Sequence, residues 1–112
     1  MPQPQESFLE KHCVPCEGGM PPLDAAHVDH YLADVPGWTS PDRAHLVREF
    51  AFADFAAAMI FVNKIAAIAE AEGHHPDIHV FYNKVRLELN THAVGGLSEN
   101  DFILAAKIDA MA

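Results

Sequence analysis

Cationic residues are scarce in this chain: seven Lys and Arg stand against sixteen Asp and Glu, for a formal net charge of −9 in 112 residues. No basic cluster occurs anywhere, which argues against direct binding to nucleic acid or to an anionic membrane surface, since both depend on Lys and Arg. Long apolar runs are missing too. The longest, Phe55 to Ala69, is interrupted by Asn63 and Lys64 and is too short and too polar to span a bilayer. The opening residues, MPQPQESFLEKH, lack a positive segment followed by an apolar one, so no signal peptide is visible and a cytoplasmic protein with reduced cysteines is expected. Cysteine itself is limited to Cys13 and Cys16. A lone Cys13-Val14-Pro15-Cys16, even beside His12, offers two thiolates and no second pair, so a metal centre within one chain is not expected. Its proline–glycine surroundings offer neither the strand before nor the helix after that a redox motif would want. Internal repeats and low-complexity segments are absent.

What remains is an ordinary globular composition, half apolar and about a fifth charged. The length suits one domain with one small core, which an oligomer interface would supplement. Eight histidines are many for this length. Residues 1–22, rich in proline and glycine, read as an irregular N-terminal arm, and residues 23–112 as the single domain. Asp24 to Leu32 suits a short helix, Val35 to Trp38 a turn that continues through Asp42, and Leu46 to Phe52 a strand by its β-branched and aromatic content. Asp54 to Gly73 is the clearest helix: Asp54 can cap its start, alanines fill its interior, and Gly73 suits the left-handed residue just past its end. Phe55, Met59, Val62 and Ala66 make one apolar stripe, which Ile60, Phe61, Ile65 and Ile68 widen well beyond one face. A helix apolar around most of its circumference must bury more than one side, so a second subunit is expected to cover part of it.

After Pro76 the period switches to two. His79 to Tyr82 and Lys84 to Asn90 read as adjacent strands with a tight bend near Asn83, the second having one wet face. Ser98, with Asp101 three residues on, starts a final helix as a shortened capping box. Strands in adjacent pairs joined by short turns imply an α+β fold, an antiparallel four-stranded sheet with about three helices packed on one face.

The candidate chemistry lies between Glu70 and Asp101. His74 and His75 follow the long helix, and Pro76 prevents its continuation, so the pair sits on a rim. His92 ends the amphipathic strand and can return to that corner if the strands pair. Converging imidazoles suit general acid–base work near neutral pH, and a carboxylate from Asp101 or Glu70 could orient one of them. Adjacent His74 and His75 diverge in direction and make poor co-ligands for zinc. On the residues alone, a solvated helix terminus remains an open alternative.

The stretch His74-His75-Pro76, Tyr82-Asn83-Lys84-Val85, Thr91-His92, Gly96-Leu97-Ser98 and Asp101 strongly resembles the signature region of pterin-4a-carbinolamine dehydratases, with agreeing spacings. Upstream, Gly37-Trp38 and Phe50-Ala51-Phe52-Ala53-Asp54-Phe55 are similar as well. The resemblance covers residues 37–109 well and residues 1–36 loosely. It implies a lyase that removes water from 4a-hydroxytetrahydrobiopterin to give quinonoid dihydropterin. That step recycles the pterin cofactor of aromatic amino acid hydroxylases, phenylalanine hydroxylation included. By the same resemblance His74 and His92 form the acid–base pair, His75 mainly binds substrate, Glu70 and Asp101 support, and Trp38 lies near the site. No metal and no organic cofactor are implied, and a homodimer or homotetramer is. Some animal relatives of the family serve as dimerisation cofactors for a transcription factor, so a non-enzymatic binding module is the alternative.

Overall fold

A computed structural model describes residues 8–14 and 20–112. In chain order its elements are α1 (Ala25–Leu32), β1 (Leu46–Ala51), α2 (Phe55–Glu72), β2 (Asp77–Phe81), β3 (Lys84–Leu89) and α3 (Glu99–Met111), with single 3-10 turns at Phe8–Glu10 and His92–Val94. The element ends follow local chemistry. Asp24 and Asp54 each accept a backbone N–H from the first turn of their helix, that of His27 and that of Ala57, both at 2.8 Å. Gly73 takes φ +65° after α2, and the amides of Gly73 and His74 turn back to the carbonyls of Glu70 and Ala69. That paired closure is a Schellman ending, which glycine's freedom at positive φ makes cheap. The residue after it, His74, is thereby tied to the helix through its own backbone.

The three strands form one antiparallel sheet in the order β1-β3-β2. Leu46, Phe50, Val85, Leu87 and Leu89 share the face turned toward the helices and are buried, while Glu49, Lys84, Arg86 and Glu88 occupy the other. Among the described residues this α+β arrangement has three strands where four were expected. The segment before β1 contributes a single bridge, Thr39 to Val47, because Asp42 folds it back at once: its carboxylate accepts the amides of Ala44 and His45, and Arg43 takes φ +55°. A turn wound that tightly leaves no extended residues to add a strand. β2 also begins earlier than expected, since Asp77 and Ile78 find partners in Glu88 and Leu87.

α2 buries Ala58, Phe61, Ile65 and Ala69, spaced by three and four residues. The stripe read as Phe55, Met59, Val62 and Ala66 is therefore corrected: Phe55 is half-exposed and Ala66 lies outside the core. In a helix apolar all round, periodicity cannot choose a face; here the small side chains of Ala58 and Ala69 turn inward. α3 is buried on most sides, with Phe102, Leu104, Ala105 and Ile108 fully enclosed. Its Phe102 ring is stacked on Phe8, 5.8 Å between centroids, and meets Tyr31 of α1 edge-on at 5.3 Å. No described helix is long and apolar enough to cross a membrane.

Candidate active site

The site is assembled where α2 ends, β3 ends and α3 begins. Asp101, in the first turn of α3, is completely buried. Burying a carboxylate is costly unless its lone pairs are satisfied, and here each oxygen is. Oδ2 accepts the Thr91 hydroxyl at 2.8 Å and the Ser98 amide at 2.9 Å, while Oδ1 meets His74 Nε2 at 2.6 Å. The Ser98 contact is the reciprocal half of a capping box, so the same carboxylate that starts α3 also grips the imidazole. With Nε2 donating to Asp101, the tautomer of His74 is set, and Nδ1 is left as the nitrogen that can exchange a proton. The His74 side chain is 12% exposed, close to the core yet reachable.

Beside this pair lies a cavity of about 500 Å³, within the range of small-molecule sites. Its lining includes Glu70, Glu72, His74 and Thr91 on one hand and Cys13, Val14 and Ala93 on the other. His75 turns outward and pairs with Glu70 at 2.9 Å, both side chains well solvated. His92 is exposed on the 3-10 turn after β3, directly following Thr91, whose hydroxyl binds Asp101. The structure thus brings His74 and Asp101 into contact, puts Glu70 and His75 at the rim, and sets His92 one residue from the Asp101 network. Trp38 is placed elsewhere within the chain. Its indole donates to Asp109 Oδ1 at 2.8 Å near the far end of α3, a carboxylate it shares with Arg48.

Three participants are not singled out for this site by the sequence. Thr91 is visible there only as the neighbour of His92. The Glu72 side chain is 8% exposed and faces His12 at 3.2 Å and Lys107 at 3.4 Å. Burial alone would push its carboxyl up, but the hydrogen bond from His12 and the charge of Lys107 outweigh burial and hold it below the ordinary range. Asn100, 5% exposed, fastens residue 14 of the N-terminal arm beside the cavity. Cys16 lies outside the described residues, as does most of the expected arm; Cys13 forms no disulfide among the described residues.

The chain is similar to several known proteins. A family model described as pterin 4 alpha carbinolamine dehydratase matches residues 21–111. A protein of Rickettsia canadensis, provisionally named as a pterin-4-alpha-carbinolamine dehydratase, is 47% identical over 90% of this chain and 94% of its own. A similarly named protein of Nitrosospira multiformis is 48% identical over 95% of this chain and 93% of its own. A crystal structure described as a transcriptional coactivator/pterin dehydratase from Brucella melitensis superposes with a TM-score of 0.77 at 34% identity, over 81% of this chain and 98% of that one. A second structure, of a pterin dehydratase-like protein described as a RuBisCO assembly factor in the alpha-carboxysome, gives a TM-score of 0.58 at 28% identity, over 68% of this chain and 89% of that one.

Proposed function

The chain belongs to the pterin 4 alpha carbinolamine dehydratase family, and from that premise we propose that it removes water from 4a-hydroxytetrahydrobiopterin to give quinonoid dihydropterin. The observation that carries this reading is the contact between His74 and the buried Asp101 at the mouth of a cavity of suitable size. In the reaction the C4a–O bond breaks, a proton joins the departing oxygen, and a ring nitrogen gives up its own proton. The ring's electrons expel the hydroxyl, so no external oxidant or reductant is required. His74 and His92 divide the two proton transfers. Hydroxide is a poor leaving group, and an imidazolium that delivers a proton as the bond breaks lowers that barrier. Asp101 orients His74 throughout without exchanging a proton itself, as a buried carboxylate does for a histidine base. His75 and Glu70, at the solvated rim, hold the pterin's polar edge. In this reading the protein acts in the cytoplasm and recycles the cofactor of an aromatic amino acid hydroxylase.

The test is a coupled assay in which such a hydroxylase generates the 4a-hydroxypterin and its ultraviolet decay is followed. Faster decay with the protein present is expected; decay at the spontaneous rate would remove the dehydratase reading.

A homodimer or homotetramer is part of the same proposal. Phe55 and Ile60 are 50% and 59% exposed on α2, and Val80 and Phe81 are exposed on the edge strand β2. Apolar surface of that kind favours association. Sedimentation under native conditions is expected to give a multiple of the chain mass. A monomer at working concentration would count against assembly and direct attention to a partner protein of the sort the alternative, a binding module, requires.

A further inference from the structure

The proton transfers just described leave one wall of the cavity without a role. Cys13 and Val14, brought in from the N-terminal arm, line it together with His74. The Asn100 side chain fastens Val14 there. Asn100 accepts the Val14 amide at 3.0 Å and donates to the Val14 carbonyl at 2.6 Å, completing both backbone groups as a neighbouring strand would. The Cys13 thiol points to the carbonyl of the same residue at 3.6 Å. Further fastenings follow along the arm: His12 to Glu72, Lys11 to Glu99, and Lys107 to the carbonyl of Leu9 at 3.1 Å. A backbone fixed at so many points presents the Val14 side chain, 64% exposed, as a fixed apolar rim.

The cavity lining is divided in character. Glu70, Glu72 and His74 supply charge and hydrogen bonding, which suit the ring's N–H groups and its reacting carbon. Cys13, Val14 and Ala93 carry no charge and present largely apolar side chains, which suits a carbon substituent. We propose that Cys13 and Val14 determine which substituent at C6 of the pterin the site accepts, and that Asn100 is the positioning residue that holds them. This rests on the dehydratase reading above.

The experiment compares two substrates generated in the coupled assay, 4a-hydroxytetrahydrobiopterin with its three-carbon side chain and the 6-methyl analogue. Wild type, Val14→Trp and Asn100→Ala are measured, each first checked for folding by circular dichroism. Val14→Trp is expected to shift the ratio of kcat/KM values by about tenfold toward the 6-methyl substrate, the scale on which apolar pockets discriminate small groups. The shift should be carried by KM. Asn100→Ala should reduce the wild-type preference between the two, again through KM. Folded variants that keep the wild-type ratio, or a ratio changed through kcat, would overturn the specificity role. A shift in Val14→Trp without one in Asn100→Ala would overturn the positioning role of Asn100. Wild type that neither accelerates decay nor binds biopterin in equilibrium dialysis would overturn the dehydratase reading and this inference with it, so the two failures are distinguishable.

Discussion

Replacing His74 with alanine is expected to lower kcat for the dehydration by about 10²–10⁴-fold, the usual worth of a positioned acid–base group. The same change strands one oxygen of a buried carboxylate. Asp101 keeps Thr91 and Ser98 but loses the partner of Oδ1, which should cost on the order of 1–3 kcal/mol of stability. A reduced melting temperature is therefore expected alongside the activity loss. His92→Ala separates the two effects. His92 is exposed and its side chain has no hydrogen bond among the described residues, so its removal should leave the melting temperature unchanged while kcat falls. Turnover near the wild-type value in a folded His92→Ala protein would take the second proton transfer away from this residue. If His74→Ala also retained full turnover, acid–base catalysis by this pair would have to be abandoned.

Phe102→Ala should destabilise the protein more than the loss of His74 does, by about 3–5 kcal/mol. The ring is completely enclosed and completes a three-ring cluster with Phe8 of the arm and Tyr31 of α1, which also meet each other edge-on at 5.1 Å. Its removal leaves a cavity that neither aromatic neighbour can fill without giving up its own packing. For a domain of this size the melting temperature should fall by on the order of 10–20 °C, compared at equal protein concentration because association shifts the midpoint. Phe102→Leu, which retains most of the volume, should recover much of that loss. A fall of only a few degrees for the alanine variant would mean that the contacts around Phe8 and Tyr31 are dispensable.

Much of this fold was legible in the sequence, and the reason is locality. Asp24, Asp54, Gly73, Ser98 and Asp101 mark helix ends through contacts within three or four residues, so their meaning survives without knowledge of the rest. The alternation in β3 was equally clear, because one of its faces is wet. Features decided by distant partners were not visible. The buried stripe of α2 depends on which small side chains meet the sheet, and a helix apolar all round does not declare that. The missing fourth strand depended on how tightly Asp42 and Arg43 wind the chain before β1. In the site, the histidines stood out because imidazoles are few in most chains and are grouped here, while their roles and that of Asp101 rested on the resemblance to the family. Asn100 did not stand out, since its partner Val14 lies at the opposite end of the chain. Trp38, placed near the site by the family resemblance, has within this chain a partner that local sequence does not reveal, the Asp109 carboxylate that accepts its N–H.

Asp101 serves the imidazole with one oxygen and the start of α3 with the other. Fraying of that first helical turn would therefore release His74 in the same event. Amide hydrogen exchange at Ser98 then reports how often the Asp101–His74 pair comes apart, and its opening free energy sets a ceiling on the fraction of molecules that hold His74 in place at any temperature.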